Sequence, residues 1–241
     1  MRVKMTFSYD GTDFFGSQIQ RDGKKTVLGE ICKVLDILHI ETNVTASGRT
    51  DRGVHATAQV CHFDLPKYWE DIHKLHTVLN TMLPKTIHIK SIQPVHEKFH
   101  ARYDAKRRIY RYILKEGDPN PFESRFVTFE KSIDLQQISQ NITLFQGTHN
   151  FEYFAKTGSD TKNFTRHIYK TFAYKYKEYI ILHFEANGFL RAQIRLMVGA
   201  LLDLEKEAIR QMLEKEYKHK LRPAPPNGLY LAKIKYEENI C

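Results

Sequence analysis

The sequence predicts an α+β protein in which strands and helices are mixed within each half of the chain. Three observations carry this. Residues 2–9 and 108–115 alternate polar and apolar side chains, the period-two pattern of a half-buried strand. Segments such as 27–38 and 189–203 instead repeat apolar residues at helical spacing. Gly117 to Ser124, carrying Pro119 and Pro121, reads as a boundary beyond which the same themes recur. It divides the chain into an N-terminal part, 1–116, and a C-terminal part, 125–241.

In the first strand Val3, Met5, Phe7 and Tyr9 alternate with Lys4, Thr6 and Ser8, and Asp10-Gly11 then turns the chain. Thr26 is placed to cap a helix whose apolar side is Val27, Ile31, Val34, Leu35 and Leu38. A Gly-containing loop at 47–53 leads into a short strand ending near Phe63. Trp69, Ile72, Leu75, Leu79 and Met82 predict a second helix, closed by Pro84. Strands follow at 86–92 and at 108–115, where Ile109, Arg111 and Ile113 oppose Tyr110, Tyr112 and Leu114. The second half predicts a helix near 134–146 closed by Gly147, then strands near 167–176 and 179–186. A long helix at about 189–203, a shorter one near 205–216 and, after the Pro-rich 223–226, a strand at 229–236 complete the chain.

Composition excludes several classes. The 241 residues are 41% hydrophobic and 12% aromatic, which suits a packed core and not a disordered tail. Cys32, Cys61 and Cys241 are too few and scattered for a disulfide framework, and no CxxC pair offers a zinc ribbon or a thioredoxin-type site. A reduced, cytoplasmic setting is expected. The N-terminus MRVKMTFSYD lacks the apolar core of a signal peptide. The longest apolar run, Leu196 to Leu202, falls far short of the ~20 residues a membrane span needs, so no membrane partner is expected.

Charge points toward nucleic acid. With 37 Lys and Arg against 28 Asp and Glu, the chain carries a net +9. Lys98, Arg102, Lys106, Arg107, Arg108 and Arg111 face only Asp104 within 98–111. Lys156, Lys162, Arg166, Lys170, Lys175 and Lys177 face only Asp160 within 156–177. Both windows carry aromatics: Phe99, Tyr103, Tyr110 and Tyr112 in one, Phe164, Tyr169, Phe172, Tyr174 and Tyr176 in the other. Cations neutralise phosphates and aromatic faces accept unstacked bases. An ordinary solvated sheet with core aromatics would produce either window alone; two together favour RNA.

The stretch Ser47-Gly48-Arg49-Thr50-Asp51-Arg52-Gly53-Val54-His55-Ala56 is the most unusual. Two glycines bracket a carboxylate with an arginine on either side, and the guanidinium groups would favour its ionised form. Asp51 is then either a nucleophile or base, or a turn aspartate in a surface ion pair. Gly48 and Gly53 fit GxxxxG, but Val54-His55 stands where a phosphate loop needs Lys and Ser/Thr. His55, Cys61 and His62 do not read as a metal site, since neighbours on a strand point to opposite faces. On the helix at 189–203, Leu190, Ile194, Met197, Val198 and Leu201 form an apolar arc with Arg191 at its margin and Arg195 one turn on. The two cations either share an anion or snorkel to water. Tyr110 and Tyr112 are core aromatics or stacking platforms, which strand periodicity does not separate.

Taken together, these strings resemble the tRNA pseudouridine synthase A (TruA) family. Gly48 to Ala56, GRTDRGVHA, is similar to its catalytic motif. Tyr9-Asp10-Gly11 with Gly16 and Gln18, Phe99-His100-Ala101-Arg102 and Arg108-Ile109-Tyr110-Arg111-Tyr112 follow in family order. So do Gly147-Thr148-His149-Asn150-Phe151, Phe189-Leu190 with Gln193-Ile194-Arg195, and Gly228-Leu229-Tyr230-Leu231. The resemblance implies a two-lobed fold with a central antiparallel sheet and a basic cleft. It implies a homodimer that isomerises uridine to pseudouridine in the anticodon arm of tRNA, at positions 38, 39 and 40, without cofactor or metal. Asp51 would drive glycosidic cleavage by acting on the sugar or the base. Tyr110 would stack on the target base, Arg195 would pair with Asp51, Arg49 would fill the space of the flipped nucleotide, and Leu229 would line the pocket. Arg108 joins the expected substrate contacts.

Three departures from the family pattern stand out: Ser17 in place of Trp, Arg52 in place of Ala, and Ala192 in place of His. The stretch after Gly199 is also shorter and poorer in glycine. Arg52 adds a candidate phosphate contact. Two rival readings differ in chemistry: a non-catalytic tRNA-binding protein, or a glycoside-cleaving enzyme pairing Asp10 or Asp13 with Asp51.

Overall fold

The structure, a computed structural model, describes residues 1–20, 22–156, 158 and 162–237. Asp160 and Cys241 lie outside the described residues. The chain forms two compact units, one from Met1–Lys106 with the segment from Tyr230 onward, the other from Arg107–Leu229. The division therefore falls beside Lys106 and Leu229, not in 117–124.

The first unit begins with strand β1 (Arg2–Tyr9), in which every second side chain is buried. Helix α1 (Val27–Ile37) starts where Thr26 Oγ1 accepts the Gly29 N–H at 3.2 Å, and it buries Val27, Leu28, Ile31, Val34 and Leu35. A two-residue strand β2 (Thr45–Ala46) precedes the Asp51 loop, and β3 (His55–Asp64) follows it. Helix α2 (Ile72–Met82) is capped by Asp71, whose carboxylate accepts the Lys74 N–H at 2.9 Å. That cap excludes Trp69 from the helix; its indole donates to the Leu38 carbonyl instead. Strand β4 (Ile87–Pro94) closes this stretch.

In the second unit come β5 (Arg107–Glu116), β6 (Thr128–Glu130), α3 (Leu135–Asn141) and β7 (Gly147–Asn150). The helix expected over 134–146 is shorter, because Ile142–Phe145 tightens into a 3₁₀ turn. Strands β8 (Thr165–Tyr176) and β9 (Tyr179–Ala186) are followed by α4 (Gln193–Asp203) and α5 (Lys206–Glu214). Strands β5, β9, β8 and β7 pair antiparallel in that order, with β6 parallel to β5. Tyr112, Phe145, Phe151, Phe154 and Phe184 fill the core, with Phe145 edge-on to Phe154 at 5.3 Å.

The final strand, β10 (Leu229–Lys235), returns to the first unit. There Tyr230 and Leu231 run parallel to His55 and Ala56 of β3, and Lys235 C=O accepts the Lys106 N–H at 2.9 Å. This pairing is the physical reason the first unit is discontinuous in sequence. Within it β1 lies antiparallel between β3 and β4, and Met5, Phe7, Phe14, Phe63 and Leu28 are fully buried. The α+β class holds in both units, with two parallel pairings the local patterns did not signal. Among the described residues no helix is long and apolar enough to cross a membrane.

Candidate active site

The Asp51 loop is pinned at three points in the first unit. At its entrance Gln59 of β3, fully buried, accepts from Ser47 Oγ at 2.7 Å and from Val60 N–H at 3.1 Å. Its amide donates to the Gly48 carbonyl at 3.0 Å. In the middle, Thr50 is buried. Its N–H donates to Ser17 Oγ at 2.9 Å, its carbonyl accepts the Ser17 N–H at 3.2 Å, and its hydroxyl lies 2.8 Å from that of Tyr9. At the exit, Gly53 N–H donates to Phe14 C=O at 3.4 Å and Val54 N–H to Asp51 C=O at 3.1 Å, with Gly53 at φ 77°.

Two glycines outside the motif make this docking possible. A Cβ on Gly11 would lie 2.0 Å from Val54 O; one on Gly16, which sits at φ 91°, would lie 2.8 Å from Thr50 O. The backbones of 11–17 and 50–54 are in contact because neither residue has a side chain. His55 completes the junction, its Nδ1 accepting the Gly11 N–H at 3.0 Å while its ring stacks on Tyr230 at 4.8 Å.

The result is a half-buried Asp51 between exposed Arg49 and Arg52. The two arginines do not pair with it. The Arg52 guanidinium lies instead over the Phe15 ring at 4.3 Å. The turn at 52–53 thus separates the charges that the linear string places side by side. Asp10, the second carboxylate of the glycoside-cleaving reading, accepts from the Thr12 N–H at 3.0 Å and hydroxyl at 2.6 Å, which ties it into its own turn.

Burial shapes the tyrosine next to the loop. Desolvation pushes the Tyr9 phenol up to about 12, against the opposing effect of hydrogen bonds from Thr50, Gln59 and Ser17. The neutral hydroxyl is therefore a permanent part of the network at ordinary pH.

In the second unit, packing separates the two tyrosines of β5. Tyr112 is fully buried, its hydroxyl 2.7 Å from Thr128 Oγ1 and donating to Pro225 C=O at 2.7 Å. It is a core residue. Tyr110 is 9% exposed and meets Phe189 edge-on at 5.3 Å. Arg108 is half-buried and donates to the Asn187 carbonyl at 2.8 Å. Leu229 is buried at the start of β10, behind the 3₁₀ turn Pro226–Gly228.

Arg195 departs from the sequence reading in its neighbourhood. The helix begins at Gln193, because Ala192 takes a left-handed φ of 57° and the Gln193 side chain turns back to accept the Leu190 N–H at 2.7 Å. Arg191 therefore lies outside the helix and does not share a face with Arg195. Arg195 is held by a reciprocal pair: its Nε donates to Ala224 C=O at 2.6 Å, and its carbonyl accepts the Ala224 N–H at 2.8 Å. Segment 222–224 comes close enough because Gly199 has no side chain; a Cβ there would sit 2.1 Å from Arg222 O.

Sequence reading missed Ser17, Thr50, Tyr9 and Gln59 as parts of the site. Tyr9 and Thr50 did stand in family-like strings, but nothing marked Gln59, and a buried hydroxyl such as that of Ser17 looks like any other serine in sequence.

The first unit thus presents a half-buried carboxylate on a pinned loop, in an α+β protein of net charge +9, which fits the class of enzymes that act on RNA. Comparison with known proteins makes the class specific. The profile of the family described as tRNA pseudouridine synthase matches residues 5–104 and 142–237. Proteins named tRNA pseudouridine synthase A are similar over nearly the whole chain. The one from Wolinella succinogenes is 39% identical, over 96% of this chain and 93% of its own. That of Campylobacter jejuni strain RM1221 is 40% identical, over 98% and 100%. That of Oceanobacillus iheyensis is 36% identical, over 99% and 98%. The chain belongs to the tRNA pseudouridine synthase family. That membership makes it an isomerase acting on tRNA.

Proposed function

We propose that the protein converts uridine to pseudouridine in the anticodon stem-loop of tRNA, at positions 38–40, with Asp51 as the catalytic carboxylate. The observation that carries this reading is the Asp51 loop itself. Three sets of hydrogen bonds and two glycine contacts hold its backbone, so the residue that carries the carboxylate is fixed in place before substrate arrives.

The reaction breaks the bond from uracil N1 to ribose C1′ and forms one from C5 to C1′; the C5 proton leaves and N1 gains a proton. Asp51 drives the cleavage. A uridine stacked in an RNA arm must first be extruded, at a cost of a few kcal/mol, and stacking on Tyr110 recovers part of it. Tyr110 also assists removal of the C5 proton. Arg195 supplies positive charge to the reaction, Arg49 occupies the place of the flipped nucleotide, and Leu229 packs against the base. Arg108 and Arg52 serve phosphates, which position the tRNA without reading its sequence. On the same basis we infer a cytoplasmic homodimer.

The test is tritium release from tRNA transcripts carrying 5-tritiated uridine. The wild type is expected to release tritium and Asp51→Asn to release none while still binding tRNA. Release by both proteins would assign the chemistry to another carboxylate. Release by neither, with tight binding, would favour a non-catalytic tRNA-binding protein.

A further inference from the structure

Of the aromatic residues in and beside the 98–111 window, Phe99 and Tyr112 are buried in the packing and Tyr110 has its proposed place at the target base. Neither applies to Tyr103. It is 75% exposed, although one face of its ring already stacks on His100, with centroids 4.2 Å apart and planes 28° from parallel. Stacked on one ring and still 75% exposed, Tyr103 keeps most of its ring within reach of a solvent-side partner.

The support beneath it is rigid. His100 Nδ1 accepts the N–H groups of both Arg102 and Tyr103 at 3.2 Å, and the His100 backbone N–H donates to Asp104 Oδ2 at 2.8 Å. Behind it lies His62 of β3, at 4.8 Å, whose Nδ1 accepts the Ala101 N–H at 3.1 Å. Burial pushes the His62 pKa down, so an uncharged ring, tilted 55° to that of His100, backs the stacked pair. The column runs from a buried histidine through a half-buried one to an exposed tyrosine. The Arg102 guanidinium carbon is 5.9 Å from the tyrosine centroid, and Lys98 is exposed nearby in sequence.

We propose that Tyr103 is a binding platform for an unpaired nucleobase of the tRNA, with Arg102 and Lys98 serving the phosphates beside it, at a site built by residues 98–104 and His62 and separate in sequence from the Asp51 loop. A flat ring held in place by a second ring loses little conformational freedom when a base stacks on it. Every base has a π-face, so such a platform accepts bases without reading their identity. The flanking positive charge selects an RNA strand over an apolar protein surface. The proposal rests only on tRNA being the substrate, not on which uridine is modified.

The experiment is equilibrium binding of a tRNA transcript to the full chain in the Asp51→Asn background, where turnover does not intervene. Tyr103→Ala is expected to weaken binding about tenfold. Tyr103→Phe, which keeps the ring, is expected to stay within about twofold of the parent. Tyr103→Trp adds a fluorophore to a chain whose own single tryptophan is Trp69, and stacking on a base should quench the added indole. The proposal is overturned by unchanged binding in Tyr103→Ala, by a Tyr103→Phe loss equal to that of alanine, or by an indole that tRNA leaves unquenched. The quenching arm holds even if the alanine variant folds poorly.

Discussion

Ser17 and Thr50 clasp one another through both backbone and side chain. The Thr50 N–H reaches Ser17 Oγ at 2.9 Å while the Ser17 N–H reaches the Thr50 carbonyl at 3.2 Å. Both residues are buried, and the carboxylate-bearing Asp51 is the next residue in the chain. Ser17 thus places a hydroxyl that fixes the backbone immediately before the proposed catalytic group.

Ser17→Ala removes the acceptor and leaves the Thr50 N–H buried without its side-chain partner. The expected loss is about 1–3 kcal/mol of stability. Because the loop would loosen ahead of Asp51, kcat should fall more than KM rises. Denaturant unfolding and tritium-release kinetics check the two parts. A variant with unchanged stability and kcat would show that the clasp does not position the loop.

Gly199→Ala should act on Arg195 from a distance. The new methyl would meet Arg222 O at 2.1 Å, and backbone on both sides leaves no inexpensive relief. Segment 222–224 must move, taking with it the Ala224 carbonyl that holds Arg195 Nε. Destabilisation of about 2 kcal/mol or more is expected, with a lower kcat/KM. A melting temperature equal to that of the wild type would contradict the close contact.

Arg52→Ala tests the phosphate role of an exposed cation that leans on Phe15 rather than on Asp51. Tritium release at saturating tRNA should persist. The logarithmic salt dependence of tRNA binding should become shallower by about one unit. An unchanged slope would remove Arg52 from the RNA contacts.

Alkaline pH should weaken the first unit through Tyr9. In the folded chain its phenol is pushed up to about 12, chiefly by burial, while in the unfolded chain it ionises near its ordinary value of 10.0. Between those values the unfolded state has released a proton that the folded state keeps, so stability falls as pH rises. The contribution is whole below pH 10 and is lost toward about pH 12, on the order of 2–3 kcal/mol. Buried Tyr112 and half-buried Tyr230 are raised in the same direction, also mainly by desolvation. Tyr9→Phe should therefore make the alkaline limb of unfolding shallower without abolishing it.

Much of the local architecture was legible in sequence because it is decided within a few residues. Thr26 caps α1 as its position ahead of Val27 and Ile31 suggested, and the alternation of β1 matches its buried face. Helix ends were less legible. Trp69 has the right spacing to extend α2 but lies beyond the Asp71 cap, and Ala192 interrupts an apolar arc by adopting a left-handed backbone that its composition does not announce. The motif around Asp51 was visible as a string, yet its two arginines turn out to face solvent and a phenylalanine ring.

By itself, then, the sequence determined the types of the longer elements, the net charge and the residues that resemble the family's motifs, since each depends on residue order along the chain; the short strands β2, β6 and β7 were not legible. Only the tertiary structure decided that Tyr112 is core while Tyr103 is exposed, and that the last strand lies parallel to β3. It alone decided that Ser17 holds Thr50. These are contacts between residues far apart in the chain, and hydrogen bonding and close packing select them from many partners that local periodicity leaves equivalent.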